Sequence, residues 1–141
     1  MLFRSYKHLI QNDRYEEWAG YTTLASYACE VQEYFAVRNT CGVYDMCPMI
    51  KYDISGPDAG RYMNRLVTRD VRKLLPKRVM YTVWCNDNGH VIEDGTVFRL
   101  APDVFRLCCA ERQLEWLEDS AIGYDVVINE VTQDKIGRAH V

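Results

Sequence analysis

The sequence predicts an α+β fold with a mainly antiparallel sheet and packed helices. Alternating apolar and polar runs of strand length recur along the chain, and the junction at Asn86-Asp87-Asn88-Gly89 carries hairpin chemistry. Helical stretches interleave with these runs without the strict strand-helix-strand rhythm of a parallel sheet. At 141 residues with 48% apolar and 12% aromatic content, one domain with a core of its own is expected.

The elements follow in chain order. Residues 27–39 bring Ala28, Val31, Tyr34, Phe35 and Val37 near helical spacing, with Ser26 as N-cap and Gly42 beyond the end, so a helix is expected there. Residues 49–54 alternate and read as a half-buried strand. Ser55-Gly56-Pro57-Asp58 then turns the chain, and Pro57 suits the first position of a helix running to Val67 with Ala59, Tyr62, Met63 and Leu66 on one face. Residues 79–85 form a β-rich run, followed by the Asn86 to Gly89 turn and a return strand at 90–92. A further strand pair is expected at 96–100 and 104–109 around Ala101-Pro102-Asp103. A helix at 111–122 with a partly regular apolar set (Leu114, Trp116, Leu117, Ala121) and a last strand at 124–131 complete the pattern.

The formal charge is -3 and the pI near 5.6, so the basic surplus on which nucleic-acid and anionic-membrane binding relies is missing. No run approaches the roughly 18 to 20 apolar residues of a bilayer span, and no secretory signal opens the chain. These features predict a soluble, cytoplasmic protein with no nucleic-acid or membrane partner. The six cysteines (Cys29, Cys41, Cys47, Cys85, Cys108 and Cys109) then read as reduced thiols. They form no C-x-x-C pair, and His8 and His90 stand apart from them, so no metal site is expected. Cys108-Cys109 reads as two strand residues pointing to opposite faces.

The two ends read differently from the rest. Ile136-Gly137-Arg138-Ala139-His140-Val141 is what ATC GGA AGA GCA CAC GTC encodes, resembling a common sequencing adapter in frame. Leu2-Phe3-Arg4-Ser5 is encoded by CTC TTC CGA TCT, the reverse complement of the same adapter, with Met1 supplied by an upstream GTG. Residues 1–5 and 136–141 are therefore expected to be adapter artefact, leaving native sequence at 6–135.

Four segments carry a family signature: Ala36-Val37-Arg38-Asn39-Thr40-Cys41-Gly42-Val43-Tyr44-Asp45, Ile54-Ser55-Gly56-Pro57-Asp58-Ala59, Leu66-Val67-Thr68-Arg69-Asp70-Val71, and Tyr81 through Asp94. In this order and spacing they resemble the folate-binding domain of the aminomethyltransferase family, the glycine cleavage T-protein and its relatives. The resemblance covers residues 33–131. It implies that 6–135 is the amino-terminal part of a folate-binding domain in a larger enzyme that moves a one-carbon unit to tetrahydrofolate. The donor would be a small molecule or a carrier protein bearing it. The residues present would not catalyse alone.

The resemblance also assigns roles. Asp94 matches the carboxylate that faces the folate nitrogens accepting the carbon unit, and it is the candidate catalytic residue. Tyr81 matches an aromatic ring near the folate, and Met49 a residue lining the same cleft. Together with Asp94 they are the candidate folate-binding set. Alternation along a strand turns Glu93 and Asp94 to opposite sides, so only Asp94 is assigned to the cleft. Without the resemblance, Asp94 is an ordinary carboxylate after a hairpin, Tyr81 divides evenly between ligand contact and core, and Met49 is a core gap-filler. Trp84 reads as packing, Arg38 and Arg69 as ion-pair partners, and Arg72-Lys73 and Lys77-Arg78 as solvated surface able to attract an acidic folate tail.

Departures from the glycine cleavage pattern leave the donor open. Asp45 is followed by Met46-Cys47-Pro48-Met49 in place of Ser-His-Met, Glu93-Asp94 replaces paired aspartates, and Arg106-Leu107-Cys108-Cys109 stands where an Asn-Ala-Ala-Asn stretch is usual. A folate-dependent demethylase of a sulfonium or methoxy-aromatic compound is one alternative. The folate domain of a dimethylglycine or sarcosine oxidase is another, and a non-catalytic folate-binding protein of iron–sulfur maintenance a third.

Overall fold

The computed structural model describes residues 8–134 and the backbone of 138–140. The expected artefact segments 1–5 and 136–137, together with Val141, lie outside the described residues. Two compact units divide the chain, 49–134 forming one and the remainder the other.

In the first unit, β1 (Tyr15–Trp18) and β2 (Tyr21–Leu24) form a hairpin in register Tyr15↔Leu24 to Trp18↔Tyr21. The two-residue turn places Ala19 at φ 50° and Gly20 at φ 79°, the doubly left-handed form that matches strand twist. Helix α1 (Glu30–Asn39) begins three residues later than expected, with Cys29 and not Ser26 at its N-cap. The cause is Glu33, whose Oε1 accepts the backbone N–H of Tyr27 (2.6 Å) and Ala28 (3.1 Å) and so holds them outside the helix. Glu30 pairs with Arg14. None of the residues of α1 is buried. Strand β3 (Val43–Asp45) pairs antiparallel with residues 138–140. The side chain of Asp45 lies outside the described residues.

In the second unit, β4 (Ile50–Ser55) leads through the Gly56 turn to α2 (Ala59–Leu66). Gly56 has φ +133°, and a Cβ there would stand 2.5 Å from the Asp125 carbonyl oxygen, so this turn needs glycine. Pro57 lies ahead of the helix, and Asp58 is its N-cap. Helix α2 buries Ala59, Tyr62, Met63 and Leu66, the stripe expected from spacing. A short 3-10 turn at Val71–Lys73 precedes β5 (Arg78–Cys85), β6 (Val91–Ala101) and β7 (Val104–Cys109). Helix α3 (Leu114–Ser120) and β8 (Val127–Glu130) follow, both shorter than expected. The strands at 90–92 and 96–100 are one continuous β6, because Glu93, Asp94 and Gly95 all pair with β5.

These strands build a five-stranded antiparallel sheet in the order β5-β6-β7-β4-β8. With neighbours on both sides, β4 is buried at Ile50, Lys51 and Tyr52 and is not the half-buried strand expected. One sheet face carries the core: Tyr52, Ile54, Trp84, Val97, Phe105 and Leu107 pack with Tyr62 and Met63 of α2 and Leu117 of α3. The Tyr62 hydroxyl donates to the Leu117 carbonyl (2.8 Å), and burial raises its pKa above the ordinary tyrosine value. Gln113 N–H donates to the Tyr52 hydroxyl (2.9 Å), tying the start of α3 to the sheet.

Candidate functional site

The other face of the sheet is read from register. Alternation puts Val79, Tyr81 and Val83 of β5 on it, with Asp94, Thr96 and Phe98 of β6. It continues through Arg106 and Cys108 of β7 to Asp53 and Lys51 of β4. Tyr81, Thr96, Cys108 and Lys51 form one rung across four strands, and Val79, Phe98, Arg106 and Asp53 the next. Cys109 lies on the core face, so the two adjacent thiols point apart as expected. Burial pushes Cys109 up to about 12 and raises Cys108 as well, so neither is a ready nucleophile.

Asp94 and Tyr81 meet on this face. Strand pairing sets Val83 opposite Asp94 and Tyr81 opposite Thr96, so the two side chains are diagonal neighbours. The Tyr81 hydroxyl donates to Asp94 Oδ2 at 2.6 Å, the short distance of a charge-assisted bond. This bond holds the Tyr81 phenol above its ordinary pKa, with burial and the Asp94 charge adding to the effect. Tyr81 is 57% exposed and Asp94 is exposed, so both are open to a ligand. Among the described residues the Asp94 carboxylate takes no other hydrogen bond.

Glu93 faces the core side, as alternation requires. Its Oε1 accepts the Asp94 backbone N–H (3.0 Å) and its Oε2 the Glu111 N–H (3.1 Å). Gly95, on the other side of Asp94, allows the strands to close: a Cβ there would stand 2.2 Å from the Cys108 carbonyl oxygen.

Met49 is the outlying member of the set. It precedes β4 at the same end of the sheet, since Gly95, Cys109 and Ile50 line up across β6, β7 and β4. Two strand spacings, about 10 Å, separate its position from that of Asp94. Its carbonyl accepts from Lys51 Nζ at 2.6 Å.

Arg69 and Arg38 take other roles than the expected ion pairs, while Arg72 and Lys73 are solvated as expected. Arg69 donates to the Tyr81 carbonyl (3.0 Å) and, with Thr68 N–H on the Val83 carbonyl (3.0 Å), covers the outer edge of β5. Arg38 lies over the Tyr34 ring, 6.0 Å from its centroid. Arg72 and Lys73 both pair with Asp70, which offsets their charge locally. The sequence reading missed the bidentate Arg106–Asp53 pair (2.7 and 2.9 Å) on the same face as Asp94. Following the alternation of β6 onward from Asp94 would have reached Thr96 and Phe98; the pairing of Arg106 with Asp53 has no local signal.

The fold and this carboxylate–phenol pair define an α+β domain with a mixed polar and aromatic sheet face that is open at β5 and β6 and buried at Cys108 and Lys51. The crystal structure of glycine cleavage system aminomethyltransferase T from Bartonella henselae has the same fold, with a TM-score of 0.75 at 22% identity over 84% of this chain and 34% of that chain. Residues 6–137 match the GCVT N-terminal domain model, and the chain belongs to that family. The aminomethyltransferase of Alcanivorax borkumensis is 36% identical over 127 residues, which are 87% of this chain and 35% of that protein. The aminomethyltransferase of Thermoanaerobacter pseudethanolicus is 30% identical over 137 residues, 94% and 37% of the two chains. The chain thus spans about a third of the length of the curated relatives it matches. Among the described residues no helix is long and apolar enough to cross a membrane.

Proposed function

We propose that the chain is the amino-terminal, folate-facing portion of a longer transferase that moves an aminomethyl or methyl unit from a small donor, or a carrier protein bearing it, to tetrahydrofolate. The observation that supports this most is the Tyr81–Asp94 hydrogen bond on an exposed sheet face, in a chain of the GCVT N-terminal domain family. A carboxylate with one oxygen held by a phenol keeps its second oxygen for an amine N–H. It can orient that nitrogen's lone pair toward the incoming carbon and stabilise positive charge as it develops.

In this reading Tyr81 sets the orientation of Asp94 and offers its aromatic ring to the guest. Val79 and Phe98, both exposed beside it, supply apolar surface suited to a flat heteroaromatic molecule. Met49, just ahead of β4, borders the same cleft. Tetrahydrofolate supplies the nitrogen that accepts the one-carbon unit; the chain binds and orients it. Residues beyond this chain complete the site, so residues 6–135 alone turn over no folate substrate.

The test is Asp94→Asn in the full-length protein, with turnover measured against aminomethyl, sulfonium and methoxy-aromatic donors and tetrahydrofolate binding measured separately. Turnover is expected to fall while binding is nearly kept, because the carboxylate acts in the transfer step. Wild-type turnover in the variant would remove Asp94 from the mechanism.

A further inference from the structure

We infer that Glu93 is a positioning residue for Asp94, its carboxylate standing in for the β7 partner that the Asp94 N–H lacks. The inference rests on the proposed role of Asp94 and extends it to the neighbouring residue.

The ladder ends at this point on one side only. Toward β7, pairing stops at Gly95↔Cys109, after which the chain leaves the sheet. Toward β5, Asp94 still pairs with Val83 and Glu93 with Trp84, and the register slips only beyond them, between Trp84 and Cys85. A strand segment at such an end has N–H groups on its β7 side without ladder partners and tends to fray there. Glu93 closes the gap. One of its oxygens takes the Asp94 N–H at 3.0 Å and the other takes the Glu111 N–H at 3.1 Å, so one carboxylate bridges two backbone segments that have stopped pairing directly.

The far anchor is itself fixed, because the Glu111 carbonyl accepts from the buried Cys109 thiol at 3.1 Å. On the other side of Asp94, Gly95 brings β6 against the Cys108 carbonyl. The Asp94 backbone is therefore held from both directions, and its side chain by Tyr81. Both groups facing Glu93 are N–H donors, which calls for an acid and not an amide: a glutamine would turn an NH₂ toward one of them.

The test compares Glu93→Gln, Asp94→Asn and the double variant in the full-length protein. Glu93→Gln should lower kcat about tenfold to a hundredfold, the cost of a small misplacement at a reacting group, with the tetrahydrofolate Kd changed by less than about threefold. In the Asp94→Asn background the same change should cause no further loss, because its route of action is gone. Glu93→Asp keeps the charge but loses a methylene of reach, and should give an intermediate kcat. Wild-type kcat in Glu93→Gln beside a deficient Asp94→Asn would overturn this inference and leave the functional reading standing. Losses that multiply in the double variant would also overturn it, by showing that Glu93 acts independently of Asp94. Wild-type turnover in Asp94→Asn would overturn the functional reading and this inference together.

Discussion

Phe105 and Phe98 sit on neighbouring strands, β7 and β6, yet Phe105 is fully buried and Phe98 is 36% exposed. The contrast extends over the two faces of the sheet. On one, Tyr52, Ile54, Trp84, Val97, Phe105 and Leu107 meet α2 and α3 and form the core. On the other, Val79 and Tyr81 stay more than half exposed beside Asp94, Thr96 and the Arg106–Asp53 pair. Apolar and aromatic residues on the first face stabilise the fold. Those on the second contribute little to it and remain available to a ligand.

If this division holds, truncation should separate the faces. Phe105→Ala should cost about 3–5 kcal/mol of stability, whereas Phe98→Ala should cost under about 1 kcal/mol. Chemical unfolding of both variants checks this, and equal losses would remove the distinction. Asp94→Asn tests the open face in the opposite sense. Turnover of the full-length protein should drop about 100-fold or more, equivalent to about 2.7 kcal/mol, with stability unchanged within about 0.5 kcal/mol.

The Arg106–Asp53 pair on the same face as Asp94 is expected to matter for stability. Its bidentate bonds are half-buried, and Arg106→Ala leaves Asp53 without its counter-ion. A loss of about 1–2 kcal/mol in chemical unfolding is expected, largely insensitive to salt.

Tyr81→Phe should have the smallest effect on folding, under about 0.5 kcal/mol, with turnover lowered several-fold as Asp94 loses its tether. Its titration offers a separate check. The phenol is held above its unfolded value of 10.0 by the bond to Asp94, so the neutral form is favoured in the folded chain. Any stability this contributes is complete below pH 10 and is lost as pH rises through the folded value. Ultraviolet titration should show one tyrosine ionising at lower pH in Asp94→Asn than in the wild type.

How far the sequence announced these features depends on the distance over which each is encoded. The buried stripe of α2 follows from spacing within a few residues, and the Asn86 to Gly89 turn from its own chemistry, with Gly89 at φ +79° and its N–H on the Asn86 carbonyl at 2.9 Å. The β1–β2 hairpin was not legible because Ala19, at φ 50°, occupies a left-handed position where Asn or Asp is the usual signal. The start of α1 was misplaced because Glu33 caps from inside the helix, overriding the nearer serine. Strand β6 was divided at Gly95, whose reason is a close approach to Cys108 that no local window contains.

By itself the sequence determined the α+β class, the family signature, and the opposite facing of Glu93 and Asp94, since a period of two follows from the covalent geometry of an extended chain. Only the tertiary structure decided that the Tyr81 hydroxyl meets Asp94, that Arg106 meets Asp53, and that Glu93 bridges Asp94 to Glu111. These contacts depend on register between strands, and register is set jointly by turns, by the glycine approach at β6–β7 and by the packing of α2 and α3 on one face.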